Sequence, residues 1–466
     1  MKRMPQAAFA ALAPLFLAGC ITGEQVAKYA APDAGFANVA SSAAAALNKE
    51  VVWAQDARQA EAFAERVRAL VHRKTIGAET AVQVALLNNR SLQAAYADVG
   101  LSAADVWQEL LLENPKVSIG VLGIAAPEVG AWRAIEGMVA NNILALLTRA
   151  RRVDIAETNF RAAQARAVLE TLRLAADTRR AWVETVAAFE ASFLLSQAQQ
   201  AADAASELAQ KLGETGAMPK AAQAREHVFY AELAGQRAKA RLAARLAKER
   251  LTRLMGLWGN DLEYFVPDQL PALTSRVVRA EGIEAEALRG RADLQLAKLQ
   301  LEALAKSLGL TAATRYLTDL EIVAGVEVER EIETEYELNG GNLDDSKHRK
   351  TTVTPQVELE FVIPIFDSGK ARMRKAELEY MKAANLLAER AVNIRSEARS
   401  AYLAYRSTHD IARHYVNAVL PLRAAIEQES LLTYNGMITN TFELLADLRA
   451  KTSGALLAAD RASPWP

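Results

Sequence analysis

Apolar residues recur at seven-residue spacing over two long stretches of the chain. In the first, Val168, Leu172 and Ala175 lead to Trp182, Val186, Phe189 and Phe193; in the second, Ile394, Ala398, Ala401 and Tyr405 lead to Ala412, Tyr415 and Val419. Such spacing is the mark of helices packed side by side in a coiled coil. Both stretches are rich in Ala, Leu, Glu, Gln, Arg and Lys, the strong helix formers, and no proline lies between Arg151 and Met218. Arg179 and Thr408 interrupt the stripe, and Pro421 predicts a kink near the end of the second stretch. Helices of this length are not stable alone in water and need neighbours to cover the stripe.

The two stretches are copies of one design. A shift of 220 residues lays Arg151-Arg152-Val153-Asp154-Ile155-Ala156-Glu157 on Ala371-Arg372-Met373-Arg374-Lys375-Ala376-Glu377, Arg179 and Trp182 on Arg399 and Tyr402, and Gly216 on Gly436. In each copy 66 residues precede that glycine; as helix they would reach about 100 Å at 1.5 Å per residue. Gly213, Gly216 and Gly436 fall where these arms must turn back, since glycine accepts a left-handed cap. Pro219 suits the start of the returning helix.

A second periodicity, of two, precedes the second arm. From Val326 to Leu338 the even positions are mostly apolar or β-forming, while Glu327, Glu329, Glu331, Glu333, Glu335 and Glu337 fill the odd ones; Arg330 breaks the apolar side. A polar loop follows from Asn339 to Asp345, and then Val357, Leu359, Phe361, Ile363 and Ile365 alternate with Glu358 and Glu360. Apolar against charged at period two is the pattern of a membrane-barrel strand, lipid on one side and water on the other; a soluble two-stranded ribbon with one wet face would share it. On the barrel reading Val357, Leu359, Phe361, Ile363 and Ile365 face lipid. Glu327, Glu329, Glu331, Glu333, Glu335, Glu358 and Glu360 then face the pore, where they would favour cations; on a strand this long, part of the row would extend past the bilayer. The first copy is weaker. Val117, Ile119 and Val121 alternate with Ser118 and Gly120, a turn falls at Ala125 to Gly130, and Met138 to Leu147 is a strand only by correspondence with Val357 to Phe366.

Each copy thus offers two strands and the chain at most four. The smallest membrane barrels have about eight strands, so the chain must self-associate to span a bilayer; two copies supply eight strands and three supply twelve. A ring of identical subunits also gives the long helices their neighbours.

The N-terminus sets the compartment. Lys2 and Arg3 precede an apolar stretch from Ala7 to Ala18, and Leu17-Ala18-Gly19-Cys20 resembles a bacterial lipoprotein signal, in which Cys20 takes a covalent lipid. Cys20 is the only cysteine, which excludes an intrachain disulfide. Ile21, where inner-membrane lipoproteins often carry Asp, points to the outer membrane. The chain has 466 residues, is 51% hydrophobic and carries a formal net charge of −1, which attracts no nucleic acid. Beyond the signal no apolar run is long enough for a transmembrane helix. His72, His227, His348, His409 and His414 are scattered, with no metal spacing, phosphate loop or nucleophile motif; neither an enzyme nor a cofactor is expected, beyond the lipid on Cys20.

Ile363-Pro364-Ile365-Phe366-Asp367-Ser368-Gly369-Lys370-Ala371-Arg372 resembles the entry to the second long helix in the outer membrane efflux protein family, the TolC-like channels, in its lipoprotein branch. Ala85 to Leu92, Leu288 to Leu294, and Tyr434-Asn435-Gly436 before Phe442-Glu443-Leu444-Leu445 are similar to further motifs of that family, in the same order, over roughly residues 75–460. Arg90 and Ala292 stand where the family usually has proline. The resemblance implies a mostly α fold with a β-barrel part: a duplicated β-hairpin plus long coiled-coil helices, forming a homotrimer whose twelve-stranded barrel in the outer membrane continues as an α-helical barrel in the periplasm. It implies the exit duct of a tripartite efflux or secretion system, docking a periplasmic adaptor protein and, through it, an inner-membrane transporter. Lys211, Gly213, Glu214, Gly216, Tyr434, Asn435 and Gly436 are then adaptor-docking or gate residues at the periplasmic tip. The division that follows is a signal peptide at 1–19; an N-terminal periplasmic segment at 20–74; a first repeat at 75–262, with a weak hairpin near 116–147 and a helical hairpin at 150–258; a linker at 263–281; a second repeat at 282–460, with a hairpin near 320–366 and a helical hairpin at 370–460; and a tail at 461–466. The competing reading is a non-conducting periplasmic coiled-coil lipoprotein that braces the envelope; such a brace has no use for a lipid-facing row.

Overall fold

The helix-forming stretches and the alternating stretches separate cleanly in the computed structural model, which describes residues 23–124, 132–273, 277, 281–339, 342–435, 446 and 450. Cys20 and the rest of the signal, the turn at Ala125 to Gly130, Gly436 and Phe442 to Leu445 lie outside the described residues. In chain order the elements are α1 (Gly23–Ala30), α2 (Phe36–Leu47), α3 (Ala57–Val71), α4 (Ala78–Asn88), α5 (Arg90–Leu110), β1 (Lys116–Leu122), β2 (Ala134–Asn142), α6 (Ile143–Glu214) and α7 (Lys220–Leu254). They continue with α8 (Ile283–Gly290), α9 (Ala292–Ala313), β3 (Leu320–Asn339), β4 (Asn342–Phe361), α10 (Lys370–His414) and α11 (Leu420–Asn435). The short helices α4–α5 and α8–α9, the two strand pairs and the two long arms repeat in the same order. Two compact units result: one built on Gly100–Ala163 and Leu296–Ala388 with the N-terminal residues through Ala34, the other on Gly35–Val99, Gln164–Gln295 and the chain from Glu389.

The second unit has the larger core. Val67, Val71, Ile76, Ala81, Val84, Ala85 and Leu87 pack with Trp182, Val186, Leu251, Met255 and Tyr264. The Trp182 indole N–H donates to the Ile76 carbonyl at 2.9 Å, which satisfies both groups away from water. The buried seam of α6 keeps Ala175, Trp182 and Val186 of the apolar stripe expected from spacing and departs from it elsewhere. It runs through Ala167, Thr171, Ala175, Thr178, Trp182 and Thr185, whereas Val168 and Leu172 are only half-buried and Phe193 is exposed. Each buried threonine hydroxyl donates to the carbonyl four residues back, Thr171 to Ala167, Thr178 to Leu174 and Thr185 to Ala181, at 2.6–2.7 Å. That bond satisfies each hydroxyl within its own helix, and the Thr171 oxygen also meets the Tyr96 hydroxyl at 2.9 Å. Arg179 breaks the stripe because it turns outward and grips Glu79 with two hydrogen bonds, at 2.9 and 3.1 Å.

The Ala85 to Leu92 motif is a joint in this unit. The Asn88 amide donates to the carbonyls of Met255 and Gly256, and the Asn89 amide to that of Leu254, while the Asn89 side-chain oxygen accepts from the Leu92 N–H and caps α5. Gly256 has φ 66°, and a Cβ there would stand 2.8 Å from the Asn88 carbonyl oxygen. The position tolerates only glycine. Pro421 lies past the end of α10, in the first turn of α11. The helix widens to a π-turn over Tyr415–Val419, with the Leu420 N–H reaching the Tyr415 carbonyl, and α11 then continues through Pro421. The wider turn takes up the bond that the proline nitrogen cannot make.

Two strand boundaries differ from expectation. Met138 to Leu147 is split, because β2 ends at Asn142, whose side chain accepts from the Ala145 N–H at 2.8 Å and caps α6. β4 begins at Asn342 rather than near Val357 and ends at Phe361, so Ile363 and Ile365 lie beyond the strand. The pairing ends where β3 begins, with Leu320 opposite Phe361, and Pro364 three residues on has no N–H to extend it. The early start of β4 has a partner-dependent cause: Lys350 and His348 pair across from Glu331 and Glu333.

Candidate functional site

The first unit holds one antiparallel sheet in the order β1-β2-β3-β4. Directly paired residues share a face, so the register sorts every side chain. One face carries Val117, Ile119 and Val121 from β1, Ile135 and Val139 from β2, Leu320, Ile322, Ala324, Val326 and Val328 from β3, and Val353, Val357, Leu359 and Phe361 from β4. It is apolar across all four strands but for Asn141 beside Ile322, and its side chains are open: Ile119 is 76% exposed and Val357 74%. The other face carries Lys116, Ser118, Glu136, Met138, Glu321, Glu327, Glu329, Glu358 and Glu360. β2 and β3 approach closely in the middle, where a Cβ on Gly325 would stand 2.7 Å from the Gly137 carbonyl.

The apolar face has clear limits. It runs nine residues along β3, Leu320 to Val328, a rise of about 27 Å at 3.4 Å per residue. Past Val328 the same face turns to Arg330 with Thr351, Ile332 with Arg349, and Thr334 with Lys347. At that border the Arg330 guanidinium lies 3.6 Å from the centre of the Trp132 ring. At the other end of the strands, Tyr316 and Phe366 are largely or wholly exposed. Beyond the border β3 and β4 continue as a two-stranded ribbon.

The acids expected to form one bare row are partly paired. Glu321 takes Lys116 at 2.6 Å, Glu327 accepts from Gln356 at 2.9 Å, Glu329 lies 3.7 Å from Arg133 and Glu333 3.7 Å from Lys350. Glu331, Glu358 and Glu360 lie on the same face, and Glu335 shares it by its backbone position. Lys350, His348 and Trp132 escaped sequence reasoning. A basic run read without its partner strand shows no alternation, and a lone tryptophan after a turn carries no period.

The helical turn lies in the second unit. α6 ends at Glu214, Gly216 takes φ 76°, and Pro219 precedes α7 in extended conformation. Ala209, Met218 and Ala222 close a small apolar cluster beneath the turn. Lys211 donates to Glu207 at 2.8 Å, and Gln210 to Glu214 at 3.1 Å. The hydrogen bond to Glu207 raises the Lys211 pKa and lowers that of its partner. A Cβ on Gly213 would meet the Gln223 amide at 2.6 Å. Tyr434 and Asn435 close α11. Among the described residues no group of three or more His, Cys, Asp or Glu could hold a metal ion, and no helix is long and apolar enough to cross a membrane.

Short helices, a two-faced strand pair and a long helical arm, each present twice among the described residues, make the fold that of TolC-like outer-membrane channels. The chain superposes on the Campylobacter jejuni CmeC outer membrane channel with a TM-score of 0.65 at 17% identity, covering 83% of this chain and 82% of that one. The outer-membrane channel OprN gives 0.63 at 19% identity over 83% and 86% of the two chains. The outer membrane protein VceC of Vibrio cholerae gives 0.62 at 16% identity over 83% and 92%. No protein-family model and no curated protein sequence matches the chain.

Proposed function

We propose that the chain is one subunit of a homotrimeric outer-membrane channel, the passive exit duct of a tripartite efflux or secretion system. The observation that carries the reading is the sheet: a continuous, exposed apolar face, a charged opposite face, and two free edges on β1 and β4. Free edges in a bilayer leave backbone groups without partners, at several kcal/mol each. Four strands cannot close on themselves, and three copies close a ring of twelve. At a strand tilt near 40°, the nine-residue apolar band stands about 21 Å tall, close to the apolar band of known barrels. Trp132 at one border and Tyr316 and Phe366 at the other suit the aromatic girdles of such barrels. α10 leaves Leu386, Val392 and Leu403 more than half exposed, surface that neighbouring copies would cover in an α-helical barrel.

In this reading Val357, Leu359 and Phe361 face lipid, and Ile363 and Ile365 follow the strand at the membrane border. Glu327, Glu329, Glu358 and Glu360 line the pore within the bilayer, while Glu331, Glu333 and Glu335 stand above it. The turn at Lys211 to Gly216, with its counterpart at Tyr434 to Gly436, is the periplasmic tip that docks an adaptor protein, through which an inner-membrane transporter delivers cargo. Cys20 carries the lipid anchor. Cargo crosses in water, so the duct needs neither catalysis nor cofactor. Planar-bilayer conductance of the purified protein under a salt gradient tests this. The expected result is a large, cation-preferring pore; a protein that inserts no pore in any bilayer removes the channel.

A further inference from the structure

The ribbon beyond the apolar band is charged differently on its two faces. On the face continuous with the glutamate side, Glu331, Glu333 and Glu335 outnumber the lone Lys350, which meets Glu333 at 3.7 Å. On the face continuous with the apolar band, Arg330, Arg349 and Lys347 follow one another with no acid among their cross-strand partners Thr351, Ile332 and Thr334. Arg349 and Lys347 are exposed. The Arg330 guanidinium is stacked on Trp132, fixed at the border where apolar residues stop.

Depth assigns these cations a ligand. The polar layer of a bilayer adds about 5–7 Å beyond the hydrocarbon on each side. Along a strand tilted near 40°, Arg330 stands about 5 Å above Val328, Arg349 about 10 Å and Lys347 about 15 Å. Arg330 is therefore at headgroup depth on the lipid side, while the backbone of Arg349 stands about 3–5 Å and that of Lys347 about 8–10 Å beyond the polar layer, from which long cationic side chains extend back toward the headgroups. We infer that Arg330, Arg349 and Lys347 form a cationic collar that binds the phosphates of anionic membrane lipids and sets the height of the barrel in the bilayer. Charge complementarity carries the assignment: among the described residues a cationic row with no acid directly opposite it sits on the surface that the apolar band hands over to headgroups, and the glutamate row does not. A guanidinium offers two parallel N–H donors to a phosphate, and its stacking on Trp132 holds it ready. The inference rests on the barrel reading above.

The test reconstitutes the full chain into bilayers of phosphatidylcholine mixed with phosphatidylglycerol, and reads lipid preference from the fraction of spin-labelled phosphatidylglycerol, against labelled phosphatidylcholine, immobilised on the protein. Wild type should enrich the anionic lipid, and each cation removed should lower that enrichment by up to about fivefold, since an exposed cation at an anionic surface carries an effect of that size. R349Q and the triple variant R330Q/R349Q/K347Q should lose enrichment in that order, R349K should keep it, and E331Q/E333Q on the opposite face should leave it unchanged. Conductance is recorded in the same bilayers. A wild type that conducts but shows no lipid preference, or an R349Q variant that keeps the full preference, overturns the collar alone. Loss of enrichment on adding inorganic phosphate at constant ionic strength reassigns the cations to a soluble anion and also overturns it. A wild type that neither inserts nor conducts overturns the barrel with it.

Discussion

Val357 and Glu358 are neighbours in sequence and opposites in the proposed assembly, and a lysine at each separates the barrel from every soluble alternative. Val357 pairs with Ala324 at the centre of the apolar band, midway between Phe361 and Val353, and is 74% exposed in the single chain. A lysine on the lipid face of a barrel at midplane costs about 2–4 kcal/mol, falling to about 0–1 near the interfaces. With three copies, Val357→Lys should destabilise the membrane-inserted trimer by about 6–12 kcal/mol. Phe361→Lys, at the edge of the band, should cost each subunit no more than about 1 kcal/mol. Glu358→Lys falls on the other face beside Val323, meets water in the pore, and should leave insertion intact while moving the reversal potential toward anions.

The assay measures, for each variant, the fraction inserted into lipid vesicles, the denaturant midpoint of the inserted trimer, and the reversal potential under a salt gradient. Depth dependence is the signature: damage should peak at position 357, fall at 359 and nearly vanish at 361. A flat profile, or Glu358→Lys as disruptive as Val357→Lys, would refute the assignment of faces. A soluble ribbon would show neither the peak nor the asymmetry, because lysine on a wet strand costs little wherever it is placed.

Other outcomes are expected in the second unit. Trp182→Phe removes the indole N–H that the buried Ile76 carbonyl accepts, and should lower stability by about 1–3 kcal/mol in chemical denaturation; no change would mean that water replaces the bond. Gly216 at φ 76° should tolerate substitution in the order Asn, Ala, Val, with Ala losing about 1 kcal/mol, read as faster proteolysis at the α6–α7 turn. Glu79 is held down to about 2, first by its bond to Arg179 and also by Lys49. Its folded pKa lies below the unfolded one, so its contribution is present above about pH 4.5 and fades as pH falls through about 2. The side chain is 56% exposed, so solvent screening limits the contribution to about 1 kcal/mol or less. The gap in denaturation midpoint between wild type and Glu79→Gln should therefore close between pH 5 and pH 2, and a constant gap sinks the assignment. Cys20→Ser should abolish incorporation of labelled palmitate, and unchanged labelling would remove the lipoprotein reading.

What could be read from the chain divides along a physical line. A face is legible when the residues that define it are set by a solvent. Val326 to Glu337 alternate because one side meets apolar surroundings and the other water, so the parity of β3 is written in that strand alone. The first half of β4 was not legible, because its residues answer to β3 rather than to a solvent. Lys350 and His348 stand opposite glutamates, and no period within Asp344 to Thr352 reveals it. The end of the same strand was misplaced for the opposite reason. Ile363 and Ile365 continue the apolar period past the last pair, which is set by where β3 begins at Leu320 and not by any change of period within β4. The seam of α6 makes the same point in helix. Ala175, Trp182 and Val186 of the visible heptad are buried while Val168, Leu172 and Phe193 are not, and the contact runs also through Thr171, Thr178 and Thr185, whose hydroxyls donate to their own helix, that of Thr171 meeting Tyr96 as well. Val168 and Leu172 are left half-buried and Phe193 open on the single chain, and packing against further copies is what that exposure would answer. A pattern drawn by contact with the rest of one chain and a pattern drawn by contact with its copies look alike in sequence. The seven-residue spacing announced long packed helices correctly, and for the same reason it could not say which face would be covered from within the chain and which was left for a partner.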